Sequence, residues 1–592
     1  MLKKLLPLLA CAASLLALPR AEFPQPQFER QQWLSLNGAW DFRFDDANSG
    51  LDQHWEAASQ TYDRRITVPY CFESKLSGIG DTSFHPWVWY QRTFDVPAAW
   101  SGKRVVLHFG AVDYRAMVWV NGQMLGAHEG GNVPFQFDIT AALKPGANRV
   151  VVRAEDPPTD RFIPRGKQFW EPKSASIFYT RTSGIWQPVW LEAVGDSYLG
   201  AVRITPSNDG AVRFEAELVR PLADLEVRAS VTHGPVTSVH TGTSRASLLL
   251  LVPEPKLWSP GNPNLYDVTF EVRRGDVVLD RVTSYFGFRS VLAENGHFLL
   301  NDRPTYLKFV LDQGYWPDSI LTPPSDEAMQ FDIKMAKQMG FNGARKHQKL
   351  EDPRYLYWAD KLGFLVSSEM ANAYRFDAQY AAAYSTEWSA AVARDYNHPS
   401  IVMWVPINES WGVPDLRDVR QQAHLQALYY LTHSLDSTRL VIDNDGWEHT
   451  GSTDLFAIHD YTSGGEPFLN RYQSMGFPAK AVPDNARRAL APGCAYNGTP
   501  VYLSEFGGIA YIPKDQPVPQ TAWGYAGVEK SEASALARLT GIYSAIAKVP
   551  AIIGVCYTQL TDVEQEINGL MTYDRKPKFD PAKIRALNDL LR

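Results

Sequence analysis

The hydrophobic pattern of this chain changes character at about residue 291. Before that point the apolar residues fall in short alternating runs, at 104–109, 116–122, 149–153, 212–218, 225–229 and 266–272. A period of two makes one face of a strand apolar, and that face needs a second sheet to cover it. Asn121-Gly122 sits between two such runs and suits a tight hairpin, because both residues tolerate positive φ. After residue 291, helical patterns at 325–339 and 351–362 alternate with near-continuous apolar runs at 364–369, 401–407, 455–459, 501–503 and 552–557. Strands apolar on both faces belong to a parallel sheet wrapped by helices. At 592 residues the chain is too long for one core. The expected architecture is multidomain: a β jelly-roll sandwich over 22–195, an immunoglobulin-like β-sandwich over 196–290 with a strand edge broken at Leu257-Trp258-Ser259-Pro260, and a (β/α)8 TIM barrel over 291–592.

In such a barrel the chemistry belongs at the C-terminal ends of the strands. Arg345, Glu369, Glu409, His459, Glu505 and Tyr557 all fall there. Glu409 ends Trp404-Val405-Pro406-Ile407-Asn408-Glu409, and Glu505 ends Val501-Tyr502-Leu503-Ser504-Glu505. Two carboxylates so placed suit a glycosidase, in which one protonates the leaving oxygen and the other attacks the sugar carbon.

Composition narrows the partners. The net charge is -7 with signs interspersed, and no long basic run marks a nucleic-acid partner. Aromatic residues make up 12% of the chain, enough to offer stacking faces to a carbohydrate after the cores are filled. Residues 1–21 carry Lys3-Lys4, an apolar stretch and Pro19-Arg20-Ala21, the pattern of a signal peptide, so export to the periplasm or beyond is expected, with cleavage after Ala21. Leu8-Leu9-Ala10-Cys11 faintly resembles a lipoprotein box. No later stretch is long enough to span a bilayer, and the three cysteines that would remain argue against a disulfide framework. His347, His398 and His459 show no metal-ligand spacing, and no metal or cofactor is expected. A homo-oligomer is allowed.

These residues resemble glycoside hydrolase family 2, the β-galactosidase, β-glucuronidase and β-mannosidase family, in its compact three-domain form. The resemblance is carried by Leu36-Asn37-Gly38-Ala39-Trp40-Asp41-Phe42, Trp119-Val120-Asn121-Gly122, His128-Glu129-Gly130-Gly131, Arg181-Thr182-Ser183-Gly184-Ile185-Trp186, Gly340-Phe341-Asn342 with Arg345, Asn408-Glu409 and Ser504-Glu505-Phe506-Gly507. It implies that Glu409 is the acid/base and Glu505 the nucleophile, that Arg345 holds the nucleophile ionised, that Asn408 bonds the sugar 2-hydroxyl, and that Tyr461 orients the nucleophile. Glu369, His459 and Trp411 are placed with the supporting or substrate-binding residues. The pair then needs two different proton affinities, with Glu505 ionised and Glu409 protonated near neutral pH.

The chain departs from the family in three places. Lys346-His347-Gln348-Lys349 follows Arg345 where Ser-His-Tyr-Pro is common. Asn568-Gly569-Leu570 lacks the lysine of the β-glucuronidases' Asn-x-Lys, although Lys346, Lys349, Arg575 or Lys576 could meet a carboxylate instead. Cys556-Tyr557-Thr558-Gln559 stands in place of the usual strand-eight tryptophan. On strand one, Asp312 could grip neighbouring hydroxyls and Trp316 could supply a stacking face. The expectation is a retaining exo-β-glycosidase that releases the terminal sugar of a plant or microbial glycan, with a neutral sugar favoured and β-galactoside leading. The alternatives are a uronic acid or a furanoside as glycone, a transglycosylase, or a catalytically silent carbohydrate-binding protein.

Overall fold

The computed structural model describes residues 18–592 apart from 58, 232–233, 241–243, 475–487, 515, 517–520 and 526. Most of the expected signal segment, 1–17, lies outside the described residues. Leu18 to Ala21 are described and make contacts with the first domain and the barrel. Arg20 is buried, its Nη1 2.9 Å from Asp352 Oδ2, and Asn37 Nδ2 donates to the carbonyls of Pro19 and Arg20 at 3.1 and 2.9 Å. A cut after Ala21 would remove this buried ion pair.

The first domain is a sandwich of two antiparallel sheets. In spatial order they are Trp33–Ser35, Val189–Val194, Arg104–Phe109 and Phe135–Asp138, against Arg64–Val68, Gly38–Phe44, Trp87–Asp95, Ala147–Glu155, Arg115–Val120 and Gln123–Glu129. Trp40, Phe42, Tyr90 and Phe109 fill the space between them, and burying each contributes roughly 1.5–3 kcal/mol. Asn121 at φ 52° and Gly122 at φ 83° make the hairpin between Arg115–Val120 and Gln123–Glu129.

The second domain packs Tyr198–Pro206, Ala211–Val219 and Arg245–Leu251 against Gly234–His240, Leu225–Val231, Tyr266–Arg274 and Val277–Phe286. Its core includes Phe214, Phe270 and Phe286. The broken edge at Trp258 has a use: the indole N–H donates to Asp360 O at 2.8 Å and docks this domain on the barrel.

The barrel has eight parallel strands: β1 (Leu307–Asp312), β2 (Gly343–Lys346), β3 (Leu365–Glu369), β4 (Ile401–Val405), β5 (Leu440–Val441), β6 (Phe456–Asp460), β7 (Val501–Gly507) and β8 (Ile552–Thr558). Around them run α1 (Asp326–Gln338), α2 (Pro353–Leu362), α3 (Ala378–Asp395), α4 (Val419–Leu435), α5 (Gly465–Ser474), α6 (Glu532–Ile546) and α7 (Pro581–Asn588). Ser325 caps α1 by accepting from Ala328 N, and Asp352 caps α2, whose first residue is Pro353. Among the described residues no helix joins β5 to β6, and the eight-stranded ladder is open between them.

A long segment of the first domain, between Glu155 and Gly184, leaves its sandwich and lies across the barrel mouth. Arg165 N and Gly166 N both donate to Asn372 O, at 3.1 and 3.0 Å. Gln565 Nε2 reaches the carbonyls of Ser176 and Phe178, at 2.7 and 2.9 Å. The first domain therefore supplies one wall of the site.

Candidate active site

Glu505 lies on β7, buried on a strand whose seven residues are all buried. Glu409 follows a short parallel pairing of Ile407–Asn408 with Asn444–Asp445. Both Glu409 and Ser410 take positive φ, 52° and 59°. Such backbone costs about 1–3 kcal/mol per residue and persists only where neighbours fix it. Here Asn408 N donates to Asn372 Oδ1 at 2.8 Å, Glu409 N to Asp445 O at 2.9 Å, and Ser410 N to Asn444 Oδ1 at 2.8 Å. The turn aims the Glu409 carboxylate back over the barrel axis, and one oxygen each of Glu409 and Glu505 lie within 4.8 Å.

Arg345, fully buried at the end of β2, is the hub. Its Nη1 donates to Glu505 Oε1 at 2.8 Å, its Nη2 to Asn408 Oδ1 at 2.5 Å and its Nε to Glu369 Oε2 at 2.9 Å, with Asp445 Oδ2 at 3.3 Å. The other Glu505 oxygen accepts from Tyr461 OH at 2.5 Å. Glu505 thus has a guanidinium on one oxygen and a phenol on the other. Asn408 Nδ2 is buried and has no hydrogen-bond partner among the described residues. Burial pushes the Glu369 carboxyl up to about 7 despite Arg345.

His459, at the end of β6, joins the pair. Its Nδ1 is 2.8 Å from Glu409 Oε1 and 3.4 Å from Glu505 Oε2, and its Nε2 is 2.9 Å from Asp445 Oδ1. A ring with a carboxylate on each nitrogen is a doubly protonated imidazolium. Burial opposes its charge, but Glu505, Asp445 and Glu409 outweigh burial and push it up to about 10. Burial raises Glu409, yet the His459 hydrogen bond and the charges of His459, Lys167 and Arg345 hold it below its ordinary value. The pull on Glu409 thus runs opposite to the raised proton affinity expected for it, and its cause is the imidazole beside it.

Trp411 is half-buried beside Glu409, with its indole N–H 3.3 Å from Glu409 Oε2 and its rings 5.1 Å from those of Tyr374. Tyr461 stacks on Tyr525 at 3.5 Å. Two expectations fail. Asp312 has no free oxygen for a sugar: Oδ2 takes Lys346 Nζ at 2.5 Å and Oδ1 takes Gly314 N at 2.9 Å. Trp316 offers no stacking face, because it is buried in the barrel core with the Arg575 guanidinium 3.8 Å above its ring. The cations proposed for a carboxylate are also taken. Lys346 and Lys349 share Glu351 at 2.8 and 2.9 Å, Arg575 bonds Tyr315 O at 2.6 Å, and Lys576 pairs with Asp574 at 2.7 Å.

The sequence reading missed Asp445 and the residues of the crossing segment. Asp445 follows a two-residue strand, too short to show a period. The segment did carry a signal, since Arg161, Arg165, Lys167, Phe169 and Trp170 crowd a stretch without strand alternation. Its Tyr179 OH donates to Glu566 Oε2 at 2.5 Å, and its Phe178 ring lies 6.5 Å from Trp411. Glu409, His459 and Glu505 are the three groups among the described residues that could share a metal ion, but Arg345, Tyr461 and the imidazolium already fill the oxygens such an ion would need.

Residues 33–170, 197–289 and 291–463 match, in turn, the sugar binding domain, the central domain and the TIM barrel domain of glycosyl hydrolases family 2. The chain belongs to glycosyl hydrolase family 2. A β-glucuronidase of Paenibacillus borealis is 27% identical over 419 residues, covering 66% of this chain and 69% of that protein. A relative from Formosa agariphila is 30% identical over 349 residues, 54% of this chain, and the match spans only 31% of that longer protein. Relatives named β-galactosidase match at 26% and 27% identity. The solved β-glucuronidase of Bifidobacterium dentium, complexed with coumarin-3-O-glucuronide, superposes with a TM-score of 0.75 at 21% identity, covering 95% of this chain and 98% of that one. At that identity the superposition speaks for the three-domain fold of family 2.

Proposed function

We propose that this chain is an exported, retaining exo-β-glycosidase whose glycone is a uronic acid. The observation that carries the reaction class is the placement of Glu409 and Glu505, with an oxygen of each within 4.8 Å. Carboxyl groups about 5–5.5 Å apart suit double displacement, whereas inverting pairs stand about 6.5–9.5 Å apart to admit a water. Glu505, held by Arg345 and Tyr461, attacks the anomeric carbon as the leaving oxygen takes a proton from Glu409. Glu409 then deprotonates the water that frees the sugar. The proton that Glu409 and His459 hold between them goes to the leaving oxygen in the first step and is restored from the water in the second, and Asn408 Nδ2 supplies a donor to the sugar.

The uronic acid is favoured over the β-galactoside by the relatives. A β-glucuronidase aligns over about two-thirds of both chains, and a solved β-glucuronidase shares the fold over nearly the whole length. The absence of a lysine at Leu570, which is buried in the barrel core, does not count against an acid glycone if the cation comes from elsewhere. A β-galactoside is the second reading, supported by the relatives of that name. The test is release of aryl aglycones from β-glucuronide, β-galacturonide, β-galactoside, β-glucoside and β-mannoside, with proton NMR of the first-formed anomer. Hydrolysis of a uronide with retention supports the reading. Hydrolysis confined to neutral sugars, or an inverted anomer, overturns it.

A further inference from the structure

Among the described residues the barrel's own cations at the mouth face carboxylates, whereas two cations of the crossing segment do not: Arg161, stacked on Trp170 at 4.5 Å, and Lys167. Arg345 faces Glu369, Asp445 and Glu505, His459 lies between Glu409 and Asp445, and Lys346 and Lys349 share Glu351. Lys167, on the crossing segment of the first domain, is just as buried at 6% exposure. Among the described residues its Nζ has no hydrogen bond and no ion pair, only the Phe178 ring 6.0 Å away.

Its place is fixed from both sides. Gly166 N donates to Asn372 O at 3.0 Å, and Gly166 O accepts from Tyr374 OH. Tyr179 N donates to Lys167 O at 2.8 Å, and Gln168 Nε2 to Asp113 Oδ2 at 2.9 Å. Phe178, the ring nearest its Nζ, lies 6.5 Å from Trp411, whose indole N–H is 3.3 Å from Glu409 Oε2, and Tyr179, which bonds the Lys167 carbonyl, donates its OH to Glu566, so Lys167 sits at the mouth near the loops that follow β4 and β8. Neither carboxylate is free to pair with it. Glu409 is engaged by His459 and Trp411, and Glu566 by Tyr179 OH at 2.5 Å and Asn568 Nδ2 at 3.0 Å. An anion that arrives beside a cation left without a carboxylate in such a crevice gains a charge-assisted hydrogen bond.

We propose that Lys167, contributed by the first domain, binds the carboxylate of the uronic acid glycone and sets the preference of the site for acid over neutral sugars. This rests on the uronide reading. Lys167 would be a specificity-determining residue supplied across the domain boundary, with the crossing segment as its rigid arm.

The test compares an aryl β-uronide with the uronamide of the same sugar and aglycone, in the wild type and in Lys167→Met and Lys167→Arg. Any influence of Lys167 on Glu409 acts on both substrates and cancels in the ratio of their kcat/KM values. In Lys167→Met that ratio is expected to fall on the order of 10²-fold, mostly through KM, and Lys167→Arg is expected to restore much of it. Melting curves matching the wild type exclude misfolding. If the wild type hydrolyses the uronide and the ratio is unchanged in Lys167→Met, the assignment of Lys167 is overturned while the uronide reading stands. If the wild type hydrolyses neutral sugars alone, the reading itself fails and takes the assignment with it.

Discussion

His459 Nδ1 lies 2.8 Å from Glu409 Oε1, so the carboxylate and the imidazole share one proton. Coupled groups titrate as a unit, and the pair keeps its proton until His459, pushed up to about 10, gives it up. The form in which Glu409 carries the proton has the same total charge as the resting form and becomes accessible to substrate over the same pH range. The alkaline limb of kcat/KM should therefore lie far above the usual carboxylate range. In His459→Gln that limb should move several units to acid, with the loss largest for aglycones that need protonation. Stability should follow the same sign. The folded-state value is raised above the ordinary 6.5, so the contribution of the charged ring is complete below about pH 6.5 and is lost as pH rises through about 10. A wild-type Tm that falls no more steeply between pH 7 and 10 than that of the variant would contradict the shared proton.

The two carboxylates should separate by their chemistry. Glu505→Ala should lose on the order of 10⁴–10⁶-fold in kcat for every substrate, because no other group stands where it can attack. Glu409→Ala should spare dinitrophenyl glycosides, whose leaving oxygen needs no proton, and azide should restore turnover as the β-glycosyl azide. With Glu505→Ala, azide should give the α-anomer. NMR of the two azide products checks both assignments, and an exchange of anomers between the variants would reverse the roles.

Much of this site was legible because barrel strands announce their ends. The continuous apolar runs of β4 and β7 pointed to Glu409 and Glu505. Asp445 was not legible, because β5 is two residues long and has no helix after it. Lys167 was hidden for another reason: its neighbour Gly166 is seated by Asn372 and Tyr374 on the barrel, about 200 residues away in sequence, and local pattern carries nothing about such contacts. Asp312 and Trp316 misled in the opposite sense. An acid and an indole at a strand end suit a sugar, but Lys346 and Arg575 claim them, and that competition depends on packing.

Asp312→Asn should therefore affect stability before binding. Removing one partner of a buried ion pair costs up to about 3–5 kcal/mol. Lys346 retains Glu351 at 2.8 Å, which places the loss toward the lower end. The measurement is urea unfolding beside KM for the working aryl glycoside. A several-fold rise in KM at unchanged stability would return Asp312 to the sugar.

If the chain is exported, Arg20 limits where it can be cut. Its Nη1 pairs with Asp352 Oδ2 at 2.9 Å, and Asp352 caps α2 beneath the loop that carries Lys349 and Glu351. Processing should thus leave Arg20 in place, with cleavage upstream of Leu18. Mass spectrometry of the N-terminal peptide from the exported protein decides the point, and a mature chain starting at Glu22 would show that this pair is dispensable.

Gly166 tests whether the crossing segment needs its exact seat. Its φ is 56°, and a Cβ there would stand 2.2 Å from Gln348 O, a backbone atom that cannot swing aside. Gly166→Ala should lift the segment off the barrel and carry Lys167 with it. A displacement near 1 Å can cost about 10²-fold in rate, so kcat/KM should fall by about that much, and trypsin should begin to cut after Arg165 or Lys167. Gly146→Ala is the control: φ is 80° but nothing lies within 4 Å of the added methyl. It bears the same backbone strain without the clash, at a turn that plays no part in the site. A fall in activity for Gly166→Ala alone, with new tryptic cleavage, would tie the seating of the first domain to catalysis in the third. Equal behaviour of the two variants would mean that the site tolerates a displaced arm, and the barrel would then have to hold its substrate by its own residues.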